Sequence, residues 1–96
     1  MSIKQSIEPC KLPGKAIHSL DEFYTEITRS LHLPDYFGRN LDALWDVLTT
    51  DIPGPVELIW EDSAASKSSM GKDFGKVASL LRDLEKERKD FRVIFR

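Results

Sequence analysis

The chain has a single cysteine, Cys10, among its 96 residues, so no disulfide can form within it. A lone thiol fits a reducing compartment. There are two histidines, His18 and His32, and no His-x3-His or Cys-x2-Cys spacing, so the usual zinc frameworks are excluded and no metal ligands are expected. No GxxxxGK[ST] phosphate loop occurs, and Gly71 and Gly75 bracket only Lys72, Asp73 and Phe74. Cys10 has no motif that would pair it with a histidine base, as nucleophilic catalysis requires. The chain therefore reads as no enzyme, with no cofactor. No stretch approaches the ~18 apolar residues needed to span a membrane. The N-terminal MSIKQSIEPCKLPGK carries no apolar run of the kind a secretion signal needs. The expectation is a cytoplasmic protein without membrane contact. Strong charge of one sign is also missing. Fourteen Lys and Arg against sixteen Asp and Glu leave a net charge of −2, which argues against nucleic-acid binding through phosphate contacts.

What the chain does have is an ordinary globular composition, 41% hydrophobic and 31% charged. Its length suits one domain over residues 1–96. Ile3, Ile7 and Leu12 suggest a first strand that Pro9 confines to a sheet edge or a strand end, and Pro13-Gly14 marks a turn. Ser19 and Glu22 form a capping box. Leu20, Phe23, Tyr24, Ile27 and Leu31 then recur at helical spacing, up to a stop before Pro34. A second helix begins at the cap residue Asn40, with Leu41, Leu44, Trp45 and Leu48 as its inner stripe. Val56–Trp60 (VELIW) suits a buried strand. EDSAASKSSMGKD reads as a loop or one or two poor helical turns. Phe74 to about Arg88 is a third helix, with Phe74, Val77, Ala78, Leu81 and Leu84 inward, and Phe91–Phe95 (FRVIF) a closing strand. Helices between strands favour parallel pairing, so the expected class is α/β, a small three-stranded parallel sheet flanked by helices.

One stretch sits uneasily with stability alone. Leu33 to Asp46 reads LPDYFGRNLDALWD, with Asp42 and Asp46 one turn apart on the second helix. Like charges at that spacing repel by about 0.2–0.5 kcal/mol. Aspartate is also up to about 0.7 kcal/mol worse than alanine in a helix. Asp42 lies near the helix start, where the dipole favours it; Asp46 has no such compensation. On the last helix, Leu80, Asp83 and Glu87 fall on one strip away from the core face, with Lys76 near it. Each acidic pair alone would suit a solvated surface, but two such faces in a small domain, one beside Trp45, point to a binding surface. Rigid carboxylates offer bidentate acceptors to arginine. Tyr36, Phe37 and Asn40 could add aromatic contact and an amide. Such a helix suits the phosphate-binding cleft of a basic enzyme, and the self-repulsion would be relieved in the complex.

The same fourteen residues, Leu33 to Asp46, resemble the signature of the barstar family, intracellular inhibitors of barnase-type ribonucleases. The similarity runs almost without gaps from about Ile17 to the C-terminus and includes Pro55 and Trp60. The resemblance implies a barstar-like three-stranded parallel sheet with helices. It also implies a free monomer that forms a one-to-one complex with a basic extracellular or toxin-type ribonuclease and blocks its active site. Partner contacts would fall on Tyr36, Phe37, Gly38, Asn40, Leu41, Asp42, Trp45 and Asp46, with Asp46 as the central acid, and on Leu80, Asp83 and Glu87. Three positions depart from the best-known pattern. Phe37 replaces a second tyrosine, Asp51 replaces an aromatic, and Asp83 stands where a glutamate is usual. These departures bear on which ribonuclease is bound. The target would be a ribonuclease the cell itself secretes or a toxin delivered by a neighbour, which would make the chain an immunity protein. A generic acidic module for another basic protein, or a small enzyme, are the alternatives.

Overall fold

A computed structural model of the chain describes residues 8–96. Three strands, β1 (Cys10–Pro13), β2 (Val56–Glu61) and β3 (Phe91–Phe95), form one sheet in the order β1-β2-β3, with both pairings parallel. Parallel neighbours need crossovers, and helices provide them. α1 (Leu20–Leu31) and α2 (Leu41–Thr50) connect β1 to β2, and α3 (Ser63–Met70) and α4 (Lys72–Glu87) connect β2 to β3. The α/β class expected from the pattern is the one observed.

β2 is the central strand, with Leu58 opposite Cys10 on one side and Val93 on the other. That position accounts for VELIW: Val56, Leu58, Ile59 and Trp60 are all buried, as a strand covered on both faces requires. Ile3 and Ile7, read as part of the first strand, lie outside the described residues. Pro13 closes β1 at the sheet edge, where a missing N–H is tolerated. The turn read at Pro13-Gly14 is a single 3-10 turn over Gly14–Ala16. A side chain at Gly14 would bring its Cβ 2.1 Å from the Glu61 carbonyl oxygen, so the turn packs too close to β2 for any other residue.

α1 starts as expected, the Ser19 hydroxyl accepting the Glu22 N–H at 3.1 Å. The Glu22 carboxylate takes the N–H of His18 at 2.7 Å, one residue before the cap, so the box closes one position early. Phe23, Tyr24, Ile27 and Leu31 are buried, and His32 at φ 54° ends the helix before Pro34. On α2 the fully inward positions are Leu44, Val47 and Leu48. Leu41 and Trp45, read as part of the core stripe, are only half-buried.

One segment differs from its sequence reading. Ser63–Met70, expected as a loop or poor helical turns, is a complete helix. Its apolar patterning is weak, and only Ser66 and Met70 point inward. Tertiary contacts hold it: the buried Ser66 hydroxyl donates to the Gly14 carbonyl at 2.8 Å and accepts the Trp60 Nε1–H at 3.0 Å. α4 also begins at Lys72, two residues before the expected Phe74.

Candidate partner-binding face

The face is a consequence of how α2 buries its apolar side. With Leu44, Val47 and Leu48 drawn into the core, the 3.6-residue period turns Asp42 and Asp46 outward. Both are exposed. Among the described residues neither carboxylate has an ion-pair partner. The one cation in the LPDYFGRNLDALWD stretch is turned away from them. Arg39, at φ 53°, donates to the Asp21 carboxylate at 2.7 Å, the Asp21 carbonyl at 2.9 Å and the Thr25 hydroxyl at 3.1 Å. Its guanidinium also lies over the Tyr24 ring. The positive charge nearest in sequence is therefore committed to α1, and the two aspartates form an uncompensated ridge.

α2 packs against α4, and shallow hollows lie beside the ridge. The larger, about 350 Å³, is a groove between the helices, lined by Leu41, Asp42 and Trp45 from α2 and by Lys76, Ser79, Leu80 and Asp83 from α4. Lys76 is paired with Asp73 at 3.8 Å. The second, about 190 Å³, is lined by Tyr36, Phe37, Gly38, Ala43, Asp46, Val47 and Asp51. Leu41, Asp42, Trp45, Leu80 and Asp83 thus meet in one groove, and Tyr36, Phe37, Gly38 and Asp46 in its neighbour. Glu87 is exposed on α4 and lines neither hollow. The Asn40 side chain is occupied in holding the helix, its oxygen accepting the Ala43 N–H at 2.8 Å and its amide donating to the Gly38 carbonyl at 3.3 Å. Phe37 is half-buried and meets Tyr24 edge-on at 5.7 Å.

Two features of the face escaped the sequence reading. Asp51 accepts a 2.5 Å hydrogen bond from the Tyr36 hydroxyl, so Asp51 and the 74% exposed Tyr36 form a clasp beside Asp46. That hydrogen bond to Asp51, with slight burial and the carboxylate charge behind it, raises the tyrosine pKa above its usual 10.0. The exchange of an aromatic for Asp51 is visible in the sequence, but its bond to a residue fifteen positions away is not. The second feature is at the far end of α2. Arg88, the residue that caps α4, donates to the Leu48 carbonyl at 2.7 Å and the Ile52 carbonyl at 2.8 Å, and holds Asp90 through two bonds of 2.8 Å each. The Arg88 hydrogen bonds hold the Asp90 carboxyl below its usual value of 3.8. A group whose folded pKa is lowered stabilises fully above the unfolded value and loses that contribution as pH falls through the folded one. The α2–α4 junction is accordingly expected to loosen only at pH below about 4. Thermal unfolding followed between pH 7 and pH 2 would show the wild type falling more steeply at the acid end than Asp90→Asn.

Cys10 is half-buried, and burial, with a smaller contribution from Glu8, raises its thiol pKa above 9.0. A protonated thiol of that kind is a poor nucleophile.

Comparison with known proteins shows the family. The family model described as Barstar (barnase inhibitor) matches residues 7–96. The chain belongs to the barstar family. It is also similar to a Bacillus subtilis (strain 168) protein named "Putative ribonuclease inhibitor YrdF", with 31% identity over 84 residues that cover 86% of this chain and 92% of that protein. The barstar-family match takes in the three strands and four helices found among the described residues. No helix among the described residues is long and apolar enough to cross a membrane.

Proposed function

We propose that this barstar-family chain is a ribonuclease inhibitor that binds one basic ribonuclease molecule and covers its active site with the α2–α4 face. The observation that carries the reading is the ridge of Asp42 and Asp46, which has no ion-pair partner among the described residues while Arg39 is held by α1. Phosphate-binding clefts display arginine and lysine, and a carboxylate presented on a rigid helix substitutes for a phosphate oxygen there. Charge-assisted, bidentate bonds of this type are about twice as strong as neutral ones.

The roles divide by position. Asp46 enters the phosphate site, with the Tyr36–Asp51 clasp beside it. Asp42 and Asp83 accept cationic side chains at the groove, whose apolar floor of Leu41, Trp45 and Leu80 packs against their methylene stems. Glu87 adds acidity at the rim, where it acts on encounter rate more than on the strength of the final complex. The free protein is a cytoplasmic monomer, and the target is either a ribonuclease destined for secretion or a delivered toxin.

Occupation of the phosphate site makes a specific demand. Binding to a barnase-type ribonuclease should be competitive with a mononucleotide that fills the same cleft, so saturating nucleotide shifts the apparent Kd upward in proportion to its concentration. Binding that ignores the nucleotide would point to an acidic module that docks elsewhere on the enzyme.

A further inference from the structure

α2 ends without a cation of its own. Its last turn has no basic residue, and its final cap is Asp51, a negative charge at the negative end of the helix dipole. The last carbonyls of a helix also lack partners within it. Val47 recovers its partners from the N–H groups of Asp51 and Ile52. Leu48 is satisfied from another helix, by Arg88 at 2.7 Å, and the same guanidinium nitrogen reaches the Ile52 carbonyl at 2.8 Å. The other nitrogens hold both oxygens of Asp90, and the Asp90 carbonyl in turn accepts the Val56 N–H, the first amide of β2, at 2.8 Å. The Arg88 side chain is only 13% exposed while Asp90 is 48% exposed, so solvent screens the ion pair in part and the carbonyl contacts are the better-shielded half of the junction. The intervening chain is shaped to admit it. A Cβ on Gly54 would lie 1.9 Å from an Asp90 carboxylate oxygen and 2.7 Å from an Arg88 nitrogen.

We infer that Arg88 is a positioning residue that locks the C-terminal end of α2 to the end of α4 and so fixes the spacing between the acids of the two helices. The inference rests on the reading of α2 and α4 as one partner-binding face. A ribonuclease meets Asp42 and Asp46 from one helix and Asp83 and Glu87 from the other, so both sets must be presented at one spacing. A face that is already in register avoids the ordering cost that binding would otherwise incur. Arg88 touches no partner in this account. It supplies from α4 the terminal cation that α2 lacks.

The test compares Arg88→Met and the milder Asp90→Asn with the wild type, by two measurements. Amide hydrogen exchange on the free proteins reads the lock itself. The N–H groups of Asp51 and Ile52 should exchange about tenfold faster or more in Arg88→Met, while the amides of α1 keep their rates. Inhibition of a barnase-type ribonuclease reads the consequence, and should weaken by about tenfold in Arg88→Met and less in Asp90→Asn. Arg88→Lys should recover only part of either effect, because an ammonium cannot hold two carbonyls and a carboxylate in one plane. Unchanged local exchange would overturn the lock, and faster exchange with undiminished inhibition would overturn its role in presenting the face. Exchange that rises equally in α1 would also overturn it, by showing a general loss of stability. If the wild type inhibits no ribonuclease, the functional reading fails, while the exchange comparison still decides whether the lock exists.

Discussion

Asp46→Ala is expected to weaken ribonuclease inhibition by about 100-fold or more while leaving the free protein folded and slightly more stable. The two effects have opposite signs for one reason. In the free protein Asp46 is exposed in the middle of α2, a turn from Asp42, and makes no ion pair among the described residues. Its removal relieves a repulsion of about 0.2–0.5 kcal/mol and installs a residue up to about 0.7 kcal/mol better in a helix. In the proposed complex the same carboxylate would face desolvated cations of the phosphate site. Removing one partner of such a buried pair leaves the other uncompensated, at a cost of about 3–5 kcal/mol, and each 1.4 kcal/mol is about tenfold in affinity. Thermal unfolding of the free proteins and inhibition constants measured side by side would check both signs. A loss of inhibition that came with a loss of stability would indicate damage to the helix instead of the loss of a contact.

The largest effect on the fold itself is expected at Trp60. Its ring is fully buried, stacked on Phe23 with centroids 5.2 Å apart and on Phe95 at 6.0 Å, and tilted against Phe74 at 5.0 Å. Its Nε1–H donates to Ser66 and so helps hold α3, the helix with the weakest apolar patterning. Trp60→Ala removes the ring and leaves a cavity that these neighbours cannot fill together, at about 3–5 kcal/mol. A small domain has about 5–15 kcal/mol in total. At about 4–8 °C per kcal/mol for a domain of this size, the melting temperature should fall by roughly 12–40 °C. Trp60→Phe should lose much less, since it keeps a stacked ring and loses one hydrogen bond. Differential scanning calorimetry of the three proteins measures this directly. A fall of a few degrees in Trp60→Ala would mean that the aromatic cluster does not organise the core.

Much of this architecture was legible because period and punctuation agreed. VELIW read as a buried strand and FRVIF as a closing strand, Ser19 and Asn40 as caps, and Leu20 to Leu31 as one helix. Each rests on local chemistry that the packing reinforces. What was not legible depends on partners distant in sequence. Ser63–Met70 carries almost no apolar pattern, and it is helical because Ser66 meets Gly14 and Trp60. At the candidate face, the conflict between Asp42 and Asp46 was a readable signal, since Asp46, one turn on from the dipole-favoured Asp42, has no folding purpose. That Arg39 would turn toward Asp21 and leave the conflict uncompensated was not readable, because a neighbouring arginine is the first place to look for neutralisation. The same holds for Arg88. The lack of a cation at the end of α2 can be seen in the sequence, but nothing local nominates a residue forty positions away.

The measurement that tests the central claim most directly is a titration of a barnase-type ribonuclease with this protein, following RNA cleavage, with Asp46→Ala in parallel. The account predicts that cleavage falls linearly to near zero at one equivalent of wild type, and that the alanine variant needs a large excess to do the same. Cleavage that continues undiminished with excess wild type, or that both proteins abolish at one equivalent, would contradict it.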